Sequence, residues 1–375
     1  MTSAPAWSCL EMDRYRSSRH FLDTHAPERA VLGLRPHAAA RAARYFLKHF
    51  PGEVAYAYKA NSSVFLLGAL YGAGIRHFDV ASLPELEDAA TIPDTTLHFM
   101  HPVKSRTAIR RAYHEFGVRR FAIDSEDELE KIMVETGRPK DLHLYVRLTV
   151  PALNSSIPLE NKFGIAGDGA VSLMQSARQC CDELGVTFHV GSQTATTDAY
   201  ISAFATARRA IVKAGVVIDA VDVGGGFPAR YGKQGPTPLM DFFSVIEEHF
   251  EDLPVSHDCR LICEPGRGLV AEAESLIVRV DARRGNELFI NDGGYGGLFD
   301  AAHLGFKFPV RLIRNTDTEP SDLIDFALWG PTCDSVDFME GPFRLPSDVR
   351  EGDYLEFGNM GAYVRAIAGQ FNGYG

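Results

Sequence analysis

The stretch EVAYAYKANSSVFLLGALYGAGIRHFDVAS, residues 53–82, decides the fold of this protein. A short run rich in valine, tyrosine and alanine, 53–58, precedes a segment with helical periodicity, 63–73, and a second strand-like run, 77–82. A strand, a helix and a second strand in this order are typical of a parallel βαβ unit. The fold prediction therefore depends on how often this unit is repeated.

The same alternation continues to residue 268. Eight strand-like runs can be counted: 53–58, 77–82, 95–101, 119–124, 142–150, 187–192, 220–227 and 260–264. Segments with helical periodicity lie between most of them, for example 104–116, 126–135, 169–184 and 198–214. Eight repeats over roughly 200–250 residues predict a (β/α)8 TIM-like barrel. An open doubly wound sheet is the alternative, but Lys59-Ala-Asn-Ser62 does not resemble the glycine-rich fingerprint of that fold.

The pattern changes after Leu269, where strand-like runs follow one another with turns of Gly, Pro and Asp between them. These runs are 275–280, 287–291, 308–313, 325–329 and 353–357. They predict a C-terminal all-β domain, to which residues 30–33 add a strand. We place the barrel at residues 35–270 and the β domain at residues 1–34 and 271–375.

Composition excludes several classes of protein. The formal net charge is −11 and Lys and Arg form no dense cluster, which argues against a nucleic-acid or anionic-membrane surface. No apolar stretch reaches membrane-spanning length, and residues 1–7 lack the parts of a signal peptide. The six cysteines form no CxxC pair, so we expect no metal, and Cys259 and Cys263 should pack beside a buried strand. Together these features predict a cytoplasmic protein.

Lys59 follows the first predicted barrel strand. If Ala55, Ala57 and Lys59 share one face, the two alanines leave room beside the amine. A lysine in a roomy, partly apolar cavity can lose its proton and attack an aldehyde, although a solvated lysine at a strand end is the commoner case. Active sites of barrels lie at the C-terminal ends of the strands. Further candidate residues at such ends are Ser82, His189, Gly224–Gly226 and Glu264–Arg267.

These strand-end residues have the chemistry of a phosphorylated ring cofactor. Backbone N–H groups of Gly224–Gly226 can approach a phosphate, with Arg267 supplying charge and Ser192 a hydroxyl; a tight turn and a surface arginine are the alternatives. Glu264 can keep a pyridine nitrogen protonated, unless it is a salt-bridged rim residue. His189 can stack on a flat ring, unless it is structural. Cys333, Asp334 and Asp300 have no individual signal.

In combination, the residues resemble the ornithine/lysine decarboxylases of the alanine racemase-like barrel fold (fold type III), a pyridoxal phosphate family. The resemblance runs from about Val31 to the C-terminus. It rests on YAYKAN (56–61), FDVAS (78–82), HVGSQ (189–193), GGGFP (224–228), EPGR (264–267), WGPTCDS (329–335), GAY (361–363) and FNGYG (371–375). It implies a barrel domain, a C-terminal β domain and a head-to-tail homodimer with two active sites at the interface.

The resemblance also assigns roles around the cofactor. It implies that Lys59 binds pyridoxal 5'-phosphate covalently, that His189 stacks on the ring and that Glu264 pairs with the pyridine nitrogen. The residues it implies for the phosphate are Ser192, Gly224, Gly225, Gly226, Arg267 and Tyr363. Those it implies beside the lysine are Asp79, Glu85 and Arg147.

The substrate roles follow from the same motifs. Cys333 and Asp334 are implied to come from the partner subunit, where Cys333 would protonate the α-carbon after decarboxylation. Asp300 and Asp334 would bind the distal ammonium of the substrate. The implied catalytic residues are Lys59, Cys333, Glu264 and His189.

The expected reaction is decarboxylation of a basic diamino acid, L-ornithine to putrescine or L-lysine to cadaverine, in polyamine biosynthesis. Diaminopimelate is disfavoured because Tyr295-Gly-Gly-Leu298 lacks the arginine expected before the Asp300 segment. One methylene, worth only about 1–3 kcal/mol, does not separate ornithine from lysine. The alternatives are diaminopimelate or a larger amino-acid conjugate as substrate, a racemase, which Glu264 opposes, and a catalytically silent regulatory homologue.

Overall fold

A closed barrel forms the first part of the chain. The computed structural model describes residues 12–159, 162–231, 237–314 and 321–374; residues 1–11, with Cys9, lie outside this range. Eight parallel strands close on themselves through pairing of the last with the first. They are Glu53–Ala57, His77–Asp79, Thr96–Phe99, Arg120–Ile123, His143–Arg147, Glu183–Thr187, Ala220–Asp222 and Arg260–Cys263. The predicted (β/α)8 barrel is confirmed.

One barrel strand lies earlier in the chain than predicted. The expected run was 187–192, whereas the strand is Glu183–Thr187. Gly185 faces Tyr145 so closely that an added Cβ would lie 2.5 Å from its ring. A glycine in a strand often marks such a close approach, and here it weakened the strand pattern of the sequence. The other seven predicted runs each contain an observed strand.

Most of the longer helices cover the outside of the barrel, whereas the short helices Phe299–His303 and Val364–Ile367 pack in the core of the C-terminal part. The α-helices are Ser18–Leu22, Pro36–His49, Val64–Ala73, Leu83–Ala89, Arg106–His114, Glu126–Thr136, Gly167–Arg178, Asp198–Ala214, Leu239–Glu251, Arg267–Val270, Phe299–His303 and Val364–Ile367; short 3₁₀ turns are Tyr58–Ala60, Ala271–Ala273 and Phe371–Gly373. Helix Glu126–Thr136 has clear local signals: Ser125 caps it by accepting from the N–H of Glu128, and left-handed Gly137 ends it. None of the helices within the described ranges has the length and hydropathy needed to cross a bilayer.

A second sheet is built almost entirely from the C-terminal part. Its strands, in spatial order, are Val310–Ile313, Tyr354–Phe357, Glu274–Arg284, Glu287–Ile290, Leu323–Trp329 and Phe338–Pro346, and Val31–Leu34 pairs with Glu274–Arg284. Two further strands, Ser155–Ile157 and Ser192–Thr194, form a small separate ribbon. The predicted β domain is present, with strand Phe338–Pro346 in addition; Gly341 and Pro342 inside it obscured its pattern. The domain boundaries given above stay a prediction.

The barrel interior is packed with side chains. They form a cluster separate from the core under the helices: Ala55, Met100, Ala122, Tyr145, Ala220 and Ile262. A filled interior leaves the ends of the barrel as the places where a ligand can bind. Cys263 is buried and Cys259 half-buried beside strand Arg260–Cys263, and both are free thiols, as the sequence indicated.

A ring of charged and histidine side chains closes the N-terminal end of the barrel. The Arg120 guanidinium lies 2.7 Å from Glu53 and 2.8 Å from Nε2 of His98, and His77 lies 3.1 Å from His98. Glu53, His77 and His98 are the one set of side chains in the described residues with a metal-ligand arrangement. Because Arg120 already pairs with two of these three, we interpret the cluster as structural; the absence of a bound metal stays a prediction.

The buried His98 predicts sensitivity to acid. Burial, followed by the charge of Arg120, holds its pKa well below the ordinary value. Below about pH 6.5, His98 therefore binds a proton in the unfolded chain but not in the folded chain. The free energy of unfolding consequently falls as the pH drops below about 6.5. We expect the free energy of unfolding, from urea titrations between pH 6.5 and 5, to fall from this one group with a slope that rises from about 0.7 to about 1.4 kcal/mol per pH unit as the pH is lowered.

A neutral replacement isolates that contribution. His98→Gln keeps an acceptor for Arg120 without a titrating ring, so its stability should depend less steeply on pH. His257→Gln, at an exposed position, is the matched control and should retain the parent slope. Equal slopes for His98→Gln and the parent would show that His98 does not remain neutral in the fold.

Candidate active site

A cleft opens at the C-terminal ends of the barrel strands. It is lined by Ala57, Lys59, His189, Ser192, Gly225, Gly226, Phe227, Glu264, Gly266, Arg267 and Tyr363. Most of these residues come directly after a barrel strand, and Tyr363 comes from the chain that returns from the β sheet. Eight of the predicted site residues thus share one cleft, although they are separated by up to 304 positions between Lys59 and Tyr363.

Lys59 lies in the 3₁₀ turn Tyr58–Ala60, two residues beyond the end of the strand, and therefore not on the face of the strand. Its Nζ donates to Asp79 at 2.6 Å, and Asp79 is buried at the end of the neighbouring strand. Burial alone lowers the pKa of Lys59, but the charges of Asp79, Tyr363 and Glu264 outweigh it and raise the pKa above its ordinary value. The expectation of an easily lost proton is therefore wrong for the protein without a ligand: Lys59 is an ammonium held by Asp79.

His189 is a neutral ring in the wall of the cleft. Its Nδ1 accepts from the N–H of Gly191 at 3.1 Å, which leaves the proton on Nε2. Burial, with the charges of Arg147 and Lys59, lowers the pKa of His189 to about 3. An added Cβ at Gly225 would come within 3.0 Å of Nε2, so glycine is needed there. A fixed, uncharged imidazole suits stacking on a flat ring.

Glu264 forms a coupled pair with Asp222, a residue that the sequence reasoning missed. Both are buried, and Glu264 Oε1 and Asp222 Oδ2 have no hydrogen-bond partner in the described part of the chain. Burial, then the charge of Asp222, raises the pKa of Glu264; burial likewise raises the pKa of Asp222 to about 7. The pair therefore retains a proton near neutral pH. Asp222 ends a barrel strand two residues before Gly224. This strand-end position is the sequence feature that could have indicated a site residue.

The glycine loop provides backbone donors on one side of the cleft. Gly224 has φ +65 and its N–H donates to Asp222 Oδ1 at 2.8 Å, so this amide is already used and Gly224 is not part of the lining. Gly225 and Gly226 do line the cleft. Residues 227–231, which follow this loop, are not helical, and helix Leu239–Glu251 starts later, so the glycine amides do not lie at the first turn of a helix.

Arg267 joins the cleft to the β sheet. Its Nη1 donates to the Tyr231 hydroxyl at 2.8 Å and its Nη2 to Asp300 at 3.2 Å, while Tyr363 packs on the guanidinium at 5.0 Å. The side chain is buried, and its Nε has no partner within the described residues. Asp300 thus contacts the predicted phosphate arginine. Tyr231 had no sequence signal, because its partner lies 36 residues away.

The remaining predicted barrel residues surround the lysine. Arg147 ends its strand and lies over Phe163 at 5.5 Å, where its charge acts on both Glu264 and Asp79. The Glu85 carboxylate accepts from the N–H of Ala81, and Ser82 caps the helix that carries Glu85. Tyr363 adopts φ +67, and its N–H donates to Ala60 O at 2.7 Å, so it is tied to the lysine turn.

Cys333 and Asp334 lie outside the cleft of their own chain. Both lie on the loop between strands Leu323–Trp329 and Phe338–Pro346, where Cys333 is exposed and Asp334 is half-buried. Asp334 accepts a hydrogen bond from the Tyr295 hydroxyl at 2.6 Å. This bond is the main reason why the pKa of Asp334 is below its ordinary value. The structure does not bring these two residues together with Lys59 within one subunit.

The cleft fits pyridoxal phosphate. A buried carboxyl oxygen of Glu264 and the Nε of Arg267 are unpaired, one suited to a ring nitrogen and the other to a phosphate. Gly225 and Gly226 leave no space for a Cβ, since Glu264 O and Gly191 O would each lie 2.8 Å away. Their amides make no hydrogen bond within the described residues and are free to donate. Lys59 lies in the same cleft, as a covalent link requires.

Comparison with known proteins agrees with this chemistry. Residues 37–271 match the family described as pyridoxal-dependent decarboxylase, pyridoxal binding domain. The chain is 30% identical to the lysine/ornithine decarboxylase of Selenomonas ruminantium over 88% of this chain and 84% of that protein. It is 33% identical to antizyme inhibitor 2 of Xenopus laevis, over 88% and 75%.

A solved structure is similar along nearly the whole chain. The Paramecium bursaria Chlorella virus arginine decarboxylase bound to agmatine superimposes with a TM-score of 0.83 at 26% identity, covering 95% of this chain and 96% of that one. The fold and the cleft define a barrel-type enzyme that uses pyridoxal phosphate. The chain belongs to the pyridoxal-dependent decarboxylases, enzymes that act on amino acids. The predicted family, cofactor and carboxy-lyase class are confirmed.

Proposed function

We propose that this protein decarboxylates a basic diamino acid, L-ornithine or L-lysine, and so supplies putrescine or cadaverine for polyamine biosynthesis. The observation that carries the proposal is the Tyr295–Asp334 pair beside Cys333: an ionised carboxylate next to a thiol, on a loop (330–337) that carries no arginine of its own. A carboxylate there suits a distal ammonium, whereas a distal carboxylate would need a cation. The cytoplasmic location expected from the sequence stays a prediction.

In this proposal the cofactor provides the reactive groups, and the residues of the cleft bind and orient it. Bound pyridoxal phosphate supplies an aldehyde that combines with amines and a ring that accepts electrons as a carboxyl group leaves. We assign Lys59 to the covalent link, the imidazole of His189 to one ring face and Glu264 to the ring nitrogen. Ser192, Gly225, Gly226, Arg267 and Tyr363 are the proposed phosphate ligands. Gly224 contributes by ordering the loop through Asp222.

Protons are handled by Asp79 and Cys333 in this proposal. Asp79 holds the Lys59 ammonium at 2.6 Å, so Lys59 has to give up a proton before its nitrogen can bond to carbon. Arg147 and Glu85 set the charge around this pair. Cys333 would donate the proton that replaces the lost carboxyl group at the α-carbon of the substrate.

Asp300 is proposed to contact both the substrate and the arginine that binds the cofactor phosphate. It is buried, and Arg267 is its cationic partner at 3.2 Å. Burial raises the pKa of Asp300 although Arg267 opposes this. We propose that Asp300 and Asp334 approach the distal ammonium from two sides. Through Arg267, loss of Asp300 is expected to affect the cofactor as well.

The active unit is proposed to be a head-to-tail homodimer. Cys333 is exposed and Asp334 half-buried, both outside the cleft of their own subunit, yet the proposed chemistry needs them beside Lys59. A two-fold dimer can place the loop of each subunit over the cleft of the other, and two equivalent sites result. The similarity to a protein named antizyme inhibitor raises the alternative of a silent homologue. Retention of Lys59, Glu264 and Cys333 favours the enzyme.

A CO₂-release assay across ornithine, lysine, arginine and diaminopimelate tests the proposal. We expect ornithine or lysine to exceed diaminopimelate in kcat/KM by on the order of 10²-fold, because an unpaired buried charge costs several kcal/mol. Asp334→Asn should lower kcat/KM for the best substrate by a similar factor and leave cofactor affinity unchanged.

Asp325→Asn is the matched control, since Asp325 lies in the same sheet with 64% of its side chain exposed and should change neither quantity. If arginine is the preferred substrate, the protein is still a decarboxylase, but its substrate class differs from the one proposed. Equal turnover of diaminopimelate, or Asp334→Asn with parent kinetics, would refute the assigned distal pocket. Absence of CO₂ release from all four amino acids with cofactor bound would favour the silent homologue or a larger conjugate.

A further inference from the structure

The C-terminal turn lies against the loop that carries Cys333. A single atom, Oδ1 of Asn372, accepts from the Cys333 backbone N–H at 3.2 Å and from its thiol at 3.4 Å. Both donors belong to one residue, so the bonds restrain the backbone and the side-chain rotamer of Cys333 together. The two residues are 39 positions apart, and nothing in the sequence indicated that they meet.

Asn372 adopts an uncommon backbone conformation. Its φ is 55 and its ψ is 15, in the left-handed region that disfavours most side chains and that asparagine tolerates best after glycine. The N–H of Gly373 donates to Gln370 O and closes the turn around Asn372. Such conformations persist where the surrounding structure requires them, which occurs often at functional sites.

The neighbouring residues hold the same loop from a second side. The Phe371 ring packs on the Tyr295 ring at 4.8 Å, and the N–H of Gly369 donates to Tyr295 O at 2.8 Å. The Tyr295 hydroxyl in turn donates to Asp334. The segment Gly369–Asn372 therefore contacts Cys333 directly and Asp334 through Tyr295, so it can set the position of both groups.

We infer that Asn372 is a positioning residue for Cys333: its amide oxygen holds the thiol in one rotamer, so that the S–H group keeps a fixed position. The inference rests on the proposed function, in which Cys333 is the proton donor. In that step the S–H bond breaks, a C–H bond forms at the substrate α-carbon, and the thiolate left behind regains a proton from water. The amide oxygen accepts from the S–H group, so it fixes the position of the proton that is to be transferred.

Two substitutions distinguish the effect of the Asn372 side-chain oxygen from the effect of its backbone conformation. Asn372→Gly keeps the left-handed conformation, which glycine adopts without strain, but removes the oxygen. Asn372→Asp keeps an oxygen at the same place, and aspartate also tolerates this conformation. If Asn372 only shaped the turn, the glycine variant would behave like the parent protein.

The first measurement needs no substrate and does not depend on turnover. The alkylation rate of Cys333 by iodoacetamide is followed by mass spectrometry in cofactor-free and cofactor-loaded protein. Asn372→Gly should react about fivefold faster, because the sulfur is no longer held in one rotamer by a hydrogen bond worth about 1 kcal/mol. Asn372→Asp should react near the parent rate, because it keeps an oxygen at the place where the thiol donates.

The second measurement is product partition with ornithine or lysine. If the proton reaches the cofactor instead of the α-carbon, hydrolysis releases an aldehyde and the cofactor retains the amino group. We expect Asn372→Gly to lower kcat about tenfold and to raise the aldehyde fraction, with KM unchanged. Asn372→Asp should stay closer to the parent in both.

The two measurements distinguish this inference from the proposed function. Parent-like alkylation and parent-like product partition in Asn372→Gly would overturn the positioning role, even if Cys333→Ala alters the products. A Cys333→Ala protein that still forms only amine would overturn Cys333 as proton donor. In that case the alkylation rates still decide whether Asn372 holds the thiol.

Discussion

Lys59→Ala is expected to lower turnover of every amino acid by on the order of 10³-fold or more, because it removes the only proposed covalent link to the cofactor. Borohydride treatment of the parent protein should attach the cofactor irreversibly to the peptide that contains Lys59. The variant should bind the cofactor reversibly, through Arg267, Glu264 and the glycine loop, and lose it on reduction followed by denaturation. Peptide mapping by mass spectrometry after reduction checks both statements.

The structure adds a second expectation for this variant. Asp79 loses the ammonium that it pairs with at 2.6 Å and remains buried without that cation, so the thermal stability of cofactor-free Lys59→Ala should fall. Lys213→Ala is the control, since Lys213 is an exposed lysine with 63% of its side chain accessible, and it should retain activity and stability. Full activity in Lys59→Ala, with the cofactor trapped on another lysine, would contradict the assignment.

Mixing two inactive proteins should restore activity if the site is shared between subunits. Lys59→Ala and Cys333→Ala are each expected to be nearly inactive in amine formation. After subunit exchange, half of the dimers are mixed, and each mixed dimer has one site with both residues intact. About a quarter of all sites should therefore recover. The measurement is amine formation after reassociation of equal amounts of the two variants.

A second mixture provides the control. Lys59 and Glu264 line the same cleft of one chain, so a mixed dimer of Lys59→Ala and Glu264→Ala contains no intact site and should stay inactive. Recovery in the first mixture and none in the second would assign Cys333 to the partner's cleft. If mass spectrometry demonstrates exchange and the first mixture still recovers nothing, Lys59 and Cys333 act within one subunit and the proposed dimer geometry is wrong.

Part of the site could be predicted because barrel chemistry follows strand ends. Lys59, His189, Glu264 and Arg267 each come within a few residues of a strand end, and parallel strands bring those ends to one rim. The ionisation of these residues could not be predicted in this way, and the expectation for Lys59 was wrong. The protonated state of Lys59 depends on Asp79, Tyr363 and Glu264, and the shared proton of Glu264 depends on Asp222. Charges at these distances act through space, not along the chain.

The sequence by itself determined the order of strands and helices, the barrel, the second sheet and the family, because these depend on local periodicity and short motifs. Only the tertiary structure decided which side chains meet: Arg267 with Tyr231 and Asp300, and Cys333 with Asn372. Such contacts join residues more than 30 positions apart whose spacing carries no periodic signal. Folding of the returning chain over the barrel rim creates them, and with them the positions of the groups proposed to carry the reaction.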